Sequence, residues 1–145
     1  MAARSYPSYP YYQELGELVA LYDLTSGMAK VLHDILQGDD VYQWALSLLT
    51  EYRRQFDAID FSGGMTEHQR NLRDEFNRDY ARAYQLIEPM SPLSRLSDKQ
   101  RQALLSQRPY DVRIANTHEY FVQRAESLAD RTANHRARLE AEHGE

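Results

Sequence analysis

Apolar residues recur at helical spacing through most of the chain, and most regularly from residue 110 onward. Ile114, Phe121, Leu128 and His135 fall seven apart, and His118, Ala125, Thr132 and Leu139 lie between them at intervals of three and four. That spacing marks one buried stripe on a helix, which Val122 and Ala129 widen. Pro109 suits a helix start and Gly144 a stop, with neither residue type between them, so a single long helix is expected over about 110–143. Ala125, Ala129, Ala133 and Ala137 recur every four residues, a line along which a second backbone could approach closely. At 1.5 Å per residue such a helix is roughly 51 Å long. A compact domain of this size is roughly 38 Å across. Either the body is elongated or the helix end leaves it. The polar stretch after Leu128 favours a projecting end that meets a partner, with His135 and Leu139 in the contact.

Upstream, residues 12–37 carry Leu15, Leu18, Tyr22, Thr25, Ala29, Leu32 and Leu36 on one stripe, broadened by Leu21, Met28 and Ile35. Gly27 predicts a kink there, or a break into two helices with Ser26 as cap. After Gly38, Asp39 or Asp40 is the expected cap of a helix whose inner face is Val41, Ala45, Leu48, Tyr52, Phe56 and Ile59, with Trp44 and Leu49 beside it. Ser62-Gly63-Gly64 breaks the pattern. Thr66 to Gln69 reads as a capping box, opening a helix with Leu72, Phe76, Tyr80, Ala83 and Ile87 inside and a charged outer face that includes Asp74, Glu75, Arg78, Asp79 and Arg82. Pro89 and Pro92 force a turn. Ser97 to Gln100 repeats the capping box and starts a short helix to about Gln107, with Leu104 and Leu105 inward. No β alternation of useful length and no internal repeat is present. The expected fold is all-α: an elongated bundle of five or six helices, one domain over 13–145.

The first twelve residues differ in kind. Tyr6-Pro7 and Tyr9-Pro10 repeat at a period of three, followed by Tyr11 and Tyr12. Proline fixes φ and pushes its predecessor toward extended geometry, so 1–12 is expected as an extended arm. Its tyrosines offer contact surface at low entropic cost.

Composition sharpens the expectation of a partner. Leu, Ile, Val and Phe make up about a fifth of the chain, a thin supply for a core. Eleven tyrosines and one tryptophan make up the difference. Buried tyrosines need partners for their hydroxyls, which favours core margins and interfaces. The excess of 22 acids over 17 bases disfavours nucleic acid as a partner. Absence of cysteine excludes disulfides, a thiol nucleophile and a cysteine-based zinc site. No apolar run is long enough to span a membrane, and no secretory signal is present, which points to an intracellular setting or a place within a large particle.

Chemistry-bearing motifs are few. The histidines at 33, 68, 118, 135 and 143 show no His-x-x-x-His spacing, and no Gly-rich phosphate loop occurs, so neither metal nor cofactor is expected. Arg113-Ile-Ala-Asn-Thr-His118-Glu-Tyr120 resembles the Arg-x4-His-x-Tyr signature of HEPN ribonucleases, which are small all-α dimers. The resemblance implies a cleft where the Arg and His of two protomers meet and cleave RNA without metal. Arg113 would stabilise phosphate charge, His118 would assist proton transfer or polarise the 2′-hydroxyl, and Tyr120 would match the toxin subgroup. Ile114 departs from the polar residue that the family usually has after its Arg. The favoured reading is a non-enzymatic helical structural or adaptor subunit of a homo- or hetero-oligomeric assembly, of the kind found in virions, tails and multisubunit complexes. Its contact residues would be Tyr6, Pro7, Tyr9, Pro10, Tyr11, Tyr12, Trp44, His135 and Leu139, since aromatics dominate interface energetics. The HEPN-like ribonuclease is the alternative.

Overall fold

The computed structural model describes residues 9–59, 66–106 and 110–143, with side chains for 16–59, 66–106 and 112–141. Helix α1 (Tyr9–Leu36) is followed by α2 (Tyr42–Asp57), α3 (Glu67–Ile87), a 3-10 helix (Glu88–Arg95), α4 (Asp98–Leu105) and α5 (Tyr110–His143). The fold is all-α, with no strand among the described residues and the long C-terminal helix as expected. No helix among the described residues is long and apolar enough to cross a membrane.

α1 is the element around which the others pack. It runs beside α5 for most of its length and also packs on α2 and α3. Facing three neighbours, it buries a broad stripe: Leu18, Leu21, Leu24, Thr25, Met28, Val31, Leu32 and Ile35. His33 meets His118 near one end of the α1–α5 pair, while Val19 and Arg136 line one groove toward the other, so the two helices run antiparallel. A 28-residue α1 is roughly 42 Å long, a near match to α5 at roughly 51 Å. Of the two outcomes open to the long helix, the fold takes the elongated body. The expected projecting end is therefore corrected: His135 and Leu139 are 4% and 8% exposed within the chain's own fold.

Three further expectations change. The extended arm over 1–12 gives way to helix at Tyr9, and Pro10 is tolerated there because the first helical turn needs no N–H partner. Residues Tyr6 and Pro7 lie outside the described residues, as do the side chains of Tyr9, Pro10, Tyr11 and Tyr12. α1 also passes through Gly27 unbroken. The Thr25 and Ser26 hydroxyls donate to carbonyls one turn back, at Leu21 and Asp23, so they serve the helix interior rather than a cap. A Cβ on Gly27 would lie 2.2 Å from the Tyr52 hydroxyl oxygen and 3.0 Å from its Cζ, so the glycine admits the α2 ring against the α1 backbone. Finally, α2 has Val41 at its N-cap position with no side-chain cap, and Asp40 instead accepts from the Ser94 hydroxyl at 2.9 Å, tying the α1–α2 loop to the 3-10 helix.

Both capping boxes form as read from the sequence. Thr66 Oγ1 accepts from the Gln69 N–H at 3.1 Å and Gln69 Oε1 accepts from the Thr66 N–H at 2.9 Å; Ser97 and Gln100 do the same for α4. Thr66→Ala is expected to lower stability by about 1 kcal/mol, read as a reduced urea midpoint at unchanged slope. Gly38 sits at φ +92 in the loop after α1, a conformation that glycine takes without strain. Phe56 of α2 stacks on Phe76 of α3 with centroids 3.9 Å apart and planes 4° from parallel.

Candidate functional site

The connectivity brings the end of α1, the start of α2, the end of α3 and the start of α5 to one end of the bundle. Gln102, Leu105 and Ser106 of the α4 region share a cavity there with Ile35, Leu36 and Ile114. Of the large apolar side chains left exposed, Leu36, Trp44, Tyr84 and Val112 all belong to this end, and only Tyr22 lies elsewhere among the described residues. Trp44, singled out from the sequence as a contact residue, is 62% exposed in the first turn of α2. Two of these four, Trp44 and Tyr84, are aromatic, so large ring surface is left in water at this end.

A polar cleft opens at the same end. It has a volume of about 460 Å³ and is lined by Arg82, Gln85 and Leu86 of α3 and Val112, Arg113, Asn116 and Thr117 of α5. No carboxylate of the described residues lines it. Arg113 and Arg82 are exposed and take part in no ion pair among the described residues. The Thr117 hydroxyl donates to the Arg113 carbonyl at 2.9 Å, which leaves its oxygen free to accept. Sharing Leu86 and Arg113 with this cleft is a narrower apolar pocket of about 180 Å³, completed by Pro89, Met90, Leu93 and Ile114.

The cleft is backed by a charge network that joins α3 to α5. These two helices meet mainly through long side chains rather than close backbone approach. Asp79, fully buried, accepts from the Tyr120 hydroxyl and, at 2.9 Å, from Arg124 Nε. Arg124 also bonds Glu75 at 3.0 Å, and Arg131 grips the same carboxylate with two bonds at 2.8 and 3.1 Å. Burial works to raise the Glu75 pKa, but Arg131 and Arg124 outweigh it and hold the carboxyl below its usual value. Burial likewise opposes the charge on Arg124, and Asp79 and Glu75 more than restore it. The Arg82 guanidinium lies 4.0 Å over the Tyr120 ring, so the locked tyrosine in turn orients an arginine of the cleft.

Buried polar groups recur nearby. Tyr42, fully buried, has its hydroxyl pKa pushed up to about 12, chiefly by burial, with Arg101 acting against and Asp40 with that shift. Arg101 is buried too. It donates to the Leu93 and Leu96 carbonyls at 3.3 and 3.1 Å and pairs with Asp98, fastening α4 to the 3-10 helix.

The residues of the ribonuclease resemblance separate in space. Positions five apart on a helix point roughly 140° away from each other. Arg113 lines the cleft between α5 and α3, whereas His118 lies on the α1 side, its ring centroid 6.0 Å from that of His33. Tyr120 faces Asp79. Within one chain the fold does not bring Arg113, His118 and Tyr120 to a common point. Among the described residues no three His, Asp or Glu side chains gather as a metal-holding group. Comparison with known proteins returns no match: no family model, no curated protein and no solved structure is similar to the chain. The cleft and the buried Asp79 were not legible in the sequence beforehand. Asp79 continues the three-and-four spacing of Leu72, Phe76, Ala83 and Leu86 within the buried stripe of α3, and that spacing was the available signal.

Proposed function

We propose that this protein is a non-enzymatic helical subunit that works by protein–protein contact, engaging its partner through the end of the bundle that carries Trp44. The observation behind this reading is the grouping of Trp44, Tyr84, Leu36 and Val112 at one end, with Trp44 the most exposed of them. The contact end so assigned is opposite to the C-terminal turns of α5, whose His135 and Leu139 are used inside the fold. A well-exposed tryptophan at an end of the bundle where other apolar side chains also stay in water has the composition of an interface hot spot.

The test places a photo-crosslinking amino acid at Ser47, one turn along α2 from Trp44, and separately at Ala141 at the opposite end, in the organism that makes the protein. A discrete adduct from position 47 is expected, with little from 141. Trp44→Ala in the Ser47-labelled protein is expected to weaken binding about thirtyfold and to reduce that adduct accordingly, since a central aromatic anchor contributes about 2 kcal/mol or more. Equal labelling from both ends, no adduct from 47, or insensitivity to Trp44→Ala would each overturn the reading.

A further inference from the structure

We propose that the cleft between α3 and α5 and the apolar pocket beside it form one site for a small amphipathic anion. The oxyanion head would lie between Arg82 and Arg113, and the tail in the pocket of Leu86, Pro89, Met90 and Leu93. Leu86 and Arg113 line both cavities, so the two lie side by side. The head region holds two guanidiniums from different helices and, among the described residues, no carboxylate. A guanidinium presents paired N–H groups that match a carboxylate or phosphate. Arg82 is held in advance by the Tyr120 ring, and Tyr120 by Asp79, which lowers the ordering cost of binding. Gln85 and Asn116 place amide groups beside the same space. The tail region is apolar apart from Arg113 at its border, and its volume of about 180 Å³ suits a short alkyl chain or one aromatic ring. A simple inorganic ion would leave this pocket unfilled, and a neutral lipid would leave the guanidiniums without a counter-charge. The ligand class is therefore an organic acid or phosphate monoester with a short apolar tail.

Isothermal titration of the full chain with octanoate, octyl phosphate, octanol and inorganic phosphate, all below micellar concentrations, tests this. At least one of the two charged amphiphiles is expected to bind, and to bind at least about tenfold more tightly than octanol or inorganic phosphate. Which of the two binds better identifies the head group as carboxylate or phosphate. Arg113→Gln is expected to weaken the charged amphiphile about tenfold and leave octanol unchanged. Leu93→Trp, which fills the tail pocket, should weaken it without affecting inorganic phosphate. Arg78→Gln, exposed on α3 outside the cleft, is the control for general charge and should change nothing. No binding by either charged amphiphile, equal binding of octanol, or an Arg113→Gln protein that binds as well as the parent would overturn the proposal. Trp44 takes no part in this site, so these outcomes are separable from those of the crosslinking experiment.

Discussion

Asp79→Ala is expected to destabilise the protein by about 3–5 kcal/mol, because it removes one side of a buried charge pair and leaves the other uncompensated. Asp79 accepts from both Tyr120 and Arg124. Without it, Arg124, only 17% exposed, keeps Glu75 alone, and Glu75 is already bound twice by Arg131. The Tyr120 hydroxyl loses its acceptor as well. Because these side chains bond α3 to α5, the damage should extend to the attachment of one helix to the other. Asp79→Asn keeps an acceptor for Tyr120 but loses the charge, and should fall between parent and Asp79→Ala. Urea unfolding followed by circular dichroism and by Trp44 fluorescence reads these differences. A loss under about 1 kcal/mol for Asp79→Ala would show the network to be a surface ornament. The same network gives stability a defined acid dependence. Glu75 has its folded pKa held below the usual 4.5, so its contribution is complete above that value and is lost as pH falls through the lower folded value. Replacing Asp79 should leave this acid limb in place, since Arg131 still holds Glu75.

Gly27→Leu is expected to cost about 3 kcal/mol, at the upper end of what overpacking does in a well-filled site. The Tyr52 ring occupies the space that the new side chain needs, and its Cζ stands 3.0 Å from where a Cβ would sit. A tyrosine ring cannot swing aside as a lysine tip can; here it is half-buried against the core. Gly27→Ala sets two effects against each other. Alanine gains about 1 kcal/mol in helix propensity, and the contact at 2.2 Å to the Tyr52 hydroxyl oxygen works against it. The clash wins, and a net loss of about 1–2 kcal/mol is expected. Tyr52→Phe removes the nearest atom, so the double variant should recover about 1 kcal/mol relative to the sum of the singles. A Gly27→Ala protein more stable than the parent would mean that α2 can slide away from α1 at little cost.

Much of the architecture could be read directly from the chain. The two capping boxes, the apolar stripe of α3 and the whole extent of α5 rest on interactions within a few residues of each other. Thr66 finds Gln69 three positions away whatever the rest of the protein does, and Phe76 and Ala83 recur at a spacing that any helix converts into a face. The break into two helices that was one option at Gly27 does not form. By propensity a mid-helix glycine is a weakness, and nothing local reveals that a ring from residue 52 needs the room. Asp79 was assigned to water because its neighbours in sequence are charged. Its burial depends on Tyr120 and Arg124, more than forty positions later.

The candidate site shows the division most clearly. Arg113 stood out in the sequence through its spacing from His118, yet helix geometry sends those two apart and pairs Arg113 with Arg82 in a cleft between α5 and α3. Trp44 stood out as an aromatic anchor, but its grouping with Leu36, Tyr84 and Val112 depends on four helix ends meeting at one end of the bundle. Periodicity and caps are local and were written in the order of residues. Which faces meet, which charges are enclosed and which aromatic rings stay in water depend on contacts between distant segments, and only packing of the helices against one another sets those.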